Sequence, residues 1–229
     1  MRKLVVEAIG TFFLVLTIGM VVLDPGAGDM APVAIGLVLM VMVYAGGHIS
    51  GAHYNPAVTL GVWIRGMCSG REAIRYWFVQ LLGATAAAGV VVQLKGDGAA
   101  MPMVLDYGHV FVAEALFTFA LTWVILNVAT ARGTEGNSYF GAAIGLTVTA
   151  GAYAVGGISG AAFNPAVTLG LALFGFIHPE SLWLYLAAQL GGASLAAVLF
   201  NVLVLSLDKP TTASAAEQRG LRPAAEPEE

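Results

Sequence analysis

Charged side chains are scarce in this sequence: 10 Lys and Arg and 14 Asp and Glu are spread over 229 residues, 10% of the chain against 58% hydrophobic. A soluble domain covers its surface with roughly 25% charge, so a water-soluble fold is excluded and most of the surface must face lipid. The few cations are scattered and the formal net charge is −4, which argues against a nucleic-acid partner. Cysteine is nearly absent. The lone Cys68 rules out an internal disulfide and leaves the redox compartment open. No nucleophile, base and metal-ligand set converges in the sequence, so catalysis and a cofactor are not expected. His48 and His53, at i, i+5 with no neighbouring Cys or third His, are a poor metal pair and read better as loop histidines bonded to backbone.

Long apolar runs take the place of charge. Six are long enough to cross a bilayer, at about 4 to 23, 31 to 47, 72 to 94, 109 to 129, 139 to 157 and 181 to 206. The first follows Arg2 and Lys3, as in a signal peptide. Glu7 interrupts it, however, and no small-x-small cleavage site precedes Asp24, so it is expected to remain as a spanning helix. Between the runs lie DPGAGD from Asp24, KGDGAAMPMVLDYGH from Lys95, ARGTEGNS from Ala131 and GFIHPES from Gly175, each rich in Gly, Pro or charge. After Asp208 the composition turns to Ala, Glu, Pro and Arg, and 208–229 is expected to be a disordered tail. With the N-terminus in the cytoplasm, Arg2, Lys3, Arg65, Arg71, Arg75, Arg132, Lys209, Arg219 and Arg222 lie inside and only Lys95 outside, which sets both termini in the cytoplasm.

The chain is internally duplicated. NPAVTLG at Asn55 recurs letter for letter at Asn164, 109 residues later. Glu7 with Thr11 and Phe12 matches Glu114 with Thr118 and Phe119, and Tyr76, Gln80, Gly83 and Ala84 match Tyr185, Gln189, Gly192 and Ala193. The first repeat is 1–95, a linker covers 96–108, and the second repeat is 109–207. Three spans per repeat is an odd number, so the second must be inverted with respect to the first. The small residues Gly83, Ala84, Ala87, Gly191, Gly192 and Ala193 read as helix-packing surface.

An Asn-Pro pair in an apolar stretch calls for a reason. The segments after the prolines, AVTLGVWI and AVTLGLALFG, reach only about 12 to 15 Å as helices and cannot cross a core about 30 Å thick. Proline at the first helical position costs no hydrogen bond, and the asparagine before it can cap the free amides. Asn55-Pro56-Ala57 and Asn164-Pro165-Ala166 therefore read as the starts of two half-helices entering from opposite faces and meeting near the midplane. Irregular backbone survives at that depth only where protein buries it or a water-filled path receives it. HISGAHY and GISGAAF should line such a path, with their carbonyls as acceptors.

These paired NPA triplets in an inverted three-plus-three repeat closely resemble the aquaporins, the major intrinsic protein family, over about residues 1 to 206. The resemblance implies an all-α membrane protein with six tilted spanning helices and two re-entrant half-helices around a pore, four pores to a homotetramer. It also implies that Asn55 and Asn164 donate N–H groups to passing solute, and that Glu7 and Glu114 buttress the loops. Most aquaporins carry an arginine after the second NPA; Val167 stands there instead. Counting without gaps, the family's four filter positions fall on Ile35, Ala152, Ala161 and Val167, all small or apolar, which implies a wider and less polar constriction. The aspartate that marks glycerol channels is replaced by Thr168. The function expected is a passive channel for water or small uncharged solutes such as glycerol, urea or ammonia. The alternatives weighed are a proton- or ion-coupled transporter, which would need ionisable groups at its substrate site, and a junction protein with a vestigial pore.

Overall fold

A computed structural model describes residues 1–96 and 101–204. Among these are eight α-helices: α1 Arg2–Val22, α2 Ala31–Ser50, α3 Pro56–Ile64, α4 Gly70–Lys95, α5 Tyr107–Thr130, α6 Phe140–Ser159, α7 Pro165–Leu173 and α8 Leu182–Leu203. The six long ones are apolar enough to cross a membrane. Of the sequence boundaries, linker residues 97–100, the last residues of the second repeat, 205–207, and the tail at 208–229 lie outside the described residues.

Two helices run more than one residue past their expected ends. α2 reaches Ser50 and α6 reaches Ser159, where hydropathy ended them at 47 and 157. Glycine, histidine and serine in these last turns weaken the apolar signal without breaking the helix. What ends it is a left-handed residue, Gly51 at φ 89° and Gly160 at φ 78°, whose N–H closes the last turn on Gly47 O at 3.0 Å and Gly156 O at 2.9 Å. The irregular backbone is thereby cut to a few residues before each NPA triplet.

Packing follows the duplication. α1 lies on α4 and α5 on α8, while α2 meets α6 across the repeat junction. Gly83 permits the first contact, since a Cβ there would come within 2.6 Å of the Ala8 carbonyl oxygen, and Gly192 sits in the same way against Ala115. Gly191 corrects the sequence reading: it is exposed, and nothing stands within 4 Å of where its Cβ would be, so it faces outward rather than into a helix contact. The outer surface carries exposed Phe78, Leu82, Leu116, Leu195 and Val202, while Glu7, Gln80, Glu114 and Gln189 are fully buried. Apolar outside and polar inside is the pattern of a protein dissolved in lipid around a polar interior. At one membrane surface Asp106 caps α5 by accepting the His109 N–H at 3.0 Å, and that bond holds its carboxyl below the usual range.

Candidate functional site: two capped half-helices at the repeat junction

Each half-helix is nine residues long and starts at proline with asparagine as its cap. Asn55 Oδ1 accepts from Ala57 N at 2.8 Å and Val58 N at 3.3 Å; Asn164 Oδ1 accepts from Ala166 N at 2.9 Å and Val167 N at 3.5 Å. The amide ends of the two asparagines then cross the junction. Asn55 Nδ2 donates to Phe163 O, and Asn164 Nδ2 donates to Tyr54 O, both at 2.9 Å. Each cap is thus tied to the loop of the opposite repeat, and the two N-termini are pinned together.

The loops that lead into the caps are bent against their own preferences. Ala52, Tyr54, Ala161 and Phe163 have φ between 48° and 51°, a left-handed conformation that costs a side-chain-bearing residue about 1 kcal/mol or more. Buried carboxylates hold them there. Glu7 Oε1 accepts from Ser50 Oγ at 2.6 Å and His53 N at 2.9 Å, and its Oε2 accepts from Tyr54 N at 2.7 Å and Gln80 Nε2 at 2.9 Å. Glu114 repeats the pattern with Ser159 Oγ at 2.7 Å, Ala162 N at 3.0 Å, Phe163 N at 2.7 Å and Gln189 Nε2 at 2.8 Å. A carboxylate only accepts, and here it meets four donors.

Further polar residues complete this frame that sequence reasoning did not assign. Tyr76 and Tyr185 donate to the Ser50 and Ser159 carbonyls at 2.7 and 2.6 Å, and Gln80 and Gln189 bridge each carboxylate to Thr59 Oγ1 at 3.1 Å and Thr168 Oγ1 at 2.8 Å. Their signal was available: polar residues within apolar spans, recurring at one offset.

Two cavities open on the junction. A wide one of about 1140 Å³ lies on the face that carries the N-terminus, with Lys3, His48, Arg65, Glu72, Arg132 and Glu135 in its wall. Lys3 Nζ pairs with Glu72 at 2.8 Å, and Arg65, at the C-terminal end of α3, donates to Thr130 O at 3.2 Å and stacks over Phe200. The narrow cavity, about 30 Å³, has room for about two water molecules. It runs between Asn55 and Asn164, and of the four expected filter residues it brings together Ile35, Ala161 and Val167. Ala152 is only partly buried and lies one turn beyond Val148, outside that wall. Nor do small filter residues make the lumen broad, because Leu14, Ile18 and Leu39 fill the space beside them. His53 lines both cavities and His48 only the wide one. Among the described residues no three His, Cys, Asp or Glu side chains gather to hold a metal.

The major intrinsic protein family model matches residues 1–151 and 111–225 of the chain, overlapping as an internal duplication would. A probable NIP-type aquaporin of Nicotiana alata is 34% identical over 232 residues, covering 97% of this chain and 84% of its own. Nodulin-26 of Glycine max is 37% identical, covering 96% and 85%, and the glycerol uptake facilitator protein-like 6 of Lactiplantibacillus plantarum 36%, covering 89% and 98%. In fold, the crystal structure of the aquaglyceroporin from Plasmodium falciparum superposes with a TM-score of 0.76 over 90% of this chain and 97% of its own, at 22% identity. With its inverted repeat, its paired Asn-Pro-Ala half-helices and these relatives, the chain belongs to the major intrinsic protein family, as an integral membrane protein of the aquaporin type.

Proposed function

We propose that the line from the wide cavity through the narrow one, between Asn55 and Asn164, is the permeation path of a channel for water and small neutral solutes. That the chain is a passive channel rather than an enzyme follows from its family. The observation that carries the path is the reciprocal bonding of the two asparagines at 2.9 Å, which holds both half-helix N-termini beside the narrow cavity. Each Nδ2 has two hydrogens and uses one across the junction, so the second is offered to solute. Pro56, Ala57, Pro165 and Ala166 start the half-helices, while Glu7 and Glu114 hold the loops. Ile35, Ala161 and Val167, with Ala152 at the next turn, form an outer filter without a fixed charge.

The coupled-transport alternative is disfavoured by the same geometry. Its only intramembrane carboxylates, Glu7 and Glu114, are fully buried and already spend their oxygens on four donors each. We place both termini in the cytoplasm on the distribution of Lys and Arg, and propose a homotetramer on family likeness. Stopped-flow swelling of proteoliposomes against water, glycerol, urea and ammonia tests the path. Water flux above empty vesicles that is lost on substituting Asn55 or Asn164 is the expected result. Flux unchanged in both folded variants removes the asparagines from the path.

A further inference from the structure

Most cations among the described residues are held. Lys3 pairs with Glu72 at 2.8 Å, Arg65 donates to Thr130 O and stacks over Phe200, and Lys95 donates to Leu23 O at 2.9 Å. Arg71 and Arg75 differ: both are exposed, and neither has a hydrogen-bond, ion-pair or ring partner among the described residues. Glu72, the carboxylate between them in the chain, is spent on Lys3. Spaced i, i+4, the two arginines stand on one face of α4 with Cβ atoms about 5 to 6 Å apart, where like charges repel. The Lys3–Glu72 pair ties the start of α1 to the start of α4, so Arg2, exposed and equally unpaired, adds to the positive charge there.

Their depth is that of the lipid headgroups. About 20 helical residues cross a hydrocarbon core about 30 Å thick, and counting that length back from Lys95 at the far end of α4 reaches Arg75. Arg71 lies about one turn further out. Inward of the pair the same face continues as Ile74, Phe78 and Leu82, which are 63%, 68% and 56% exposed. Two free cations thus stand at the head of an apolar stripe.

We infer that Arg71 and Arg75 form a binding site for one anionic phospholipid, whose phosphate they clamp while its acyl chains lie along Ile74, Phe78 and Leu82. Charge complementarity selects this occupant. A guanidinium meets a phosphate through paired N–H donors, and the phosphate relieves the repulsion between the two arginines. A soluble anion would leave the apolar stripe uncovered, and a zwitterionic lipid brings a cation of its own to a site that already has two. The site stands apart from the permeation path.

Trp63 and Trp77 supply a local reporter. Their rings are 6.3 Å apart, and a Cβ on Gly70, next to Arg71, would meet the Trp63 ring at 3.2 Å. Trp123→Phe and Trp183→Phe remove the other two tryptophans. The full chain in mixed micelles is titrated with phosphatidylglycerol or phosphatidylcholine brominated on the acyl chains, and fluorescence quenching and melting temperature are followed. Phosphatidylglycerol should quench at a mole fraction about tenfold lower, as two charge-assisted contacts allow, and should raise the melting temperature by several degrees more than phosphatidylcholine does. Arg71→Gln combined with Arg75→Gln should abolish both differences, yet melt no lower in lipid-free micelles, since a like-charge pair has gone. Glycerophosphoglycerol, the headgroup without chains, should leave the melting temperature unchanged. Equal quenching by the two lipids, a preference that survives the double substitution, or full stabilisation by glycerophosphoglycerol overturns the lipid site. So does a failure of either lipid to quench, which would show that a second copy of the chain covers this face.

Discussion

At the scale of single residues, the two buried glutamates carry the strongest local argument. Glu7 and Glu114 each accept from two backbone amides in a strained loop, one serine and one glutamine, so the carboxylate supplies the energy that the left-handed residues cost. Replacing either with Gln turns one acceptor oxygen into a donor that faces donors. Hydrogen bonds to a charged group contribute about 1.5 to 3 kcal/mol each, so the loss of two should destabilise the protein by about 3 to 6 kcal/mol. Thermal unfolding in detergent should show this equally for Glu7→Gln and Glu114→Gln, because their partners match. If either variant melts like the natural protein, the carboxylate is not what holds its loop. Cys68 gives a second prediction. It is 8% exposed, and burial pushes its thiol up to about 11, so at pH 7 only about one molecule in 10⁴ is thiolate. Maleimide labelling should be slow at pH 7 and rise about tenfold per pH unit, and mercurials should block flux poorly. Ala161→Cys, in the narrow cavity, should create that block. Rapid labelling of Cys68 at neutral pH would show that it is not shielded.

The half-helix is the element on which the site depends, and its cap has two separable duties. Oδ1 closes the free amides of α3 or α7, and Nδ2 reaches the opposite repeat. Alanine at Asn55 or Asn164 removes both, at a cost of about 1 kcal/mol for the cap alone. Serine caps well but is too short to cross the junction. Asn164→Ser should therefore melt above Asn164→Ala while losing as much water flux, and equal melting would show that capping contributes little here. The half-helices were legible in the sequence because proline, asparagine and a short apolar run each impose a local constraint that chain order displays. The ends of α2 and α6 were less so, since Gly46, Gly47 and His48 lower hydropathy inside a continuous helix. Ser50, Thr59, Tyr76 and Gln80 could be seen to recur, but recurrence does not say what a residue touches. The carboxylate that Ser50 and Gln80 share lies on α1, 43 and 73 residues away, and Thr59 and Tyr76 join it only through Gln80 and Ser50. The passage between the two cavities was hidden for the same reason, because the residues that line both, Ala52, His53, Val58, Ile125 and Ile144, come from α3, α5, α6 and a loop.

On the scale of the whole molecule, inverted repeats aim two helix N-termini at one point from opposite faces, each equivalent to about +0.5 of a charge. A cation at the junction thus meets about one full positive charge inside a low-dielectric protein, and this barrier needs no filter residue. Val167 adds no charge to it, and the apolar surroundings of Ile35 and Ala161 offer an ion no substitute for water. Val167→Arg separates the two sources of exclusion. It places a permanent cation and a long side chain at a cavity of about 30 Å³, beside Val167's buried neighbours on α2 and the second loop. Glycerol permeability should then fall more than water permeability, because the larger solute needs the volume that the side chain takes. Proton leak, followed with a pH-sensitive dye in vesicles under an imposed potential, should also fall, but only by the increment that the added charge supplies over the barrier already set by the half-helices. If the leak is unchanged while the glycerol-to-water ratio drops, residue 167 is at the constriction and the helix dipoles alone set proton exclusion. An unchanged ratio in a folded protein removes residue 167 from the filter.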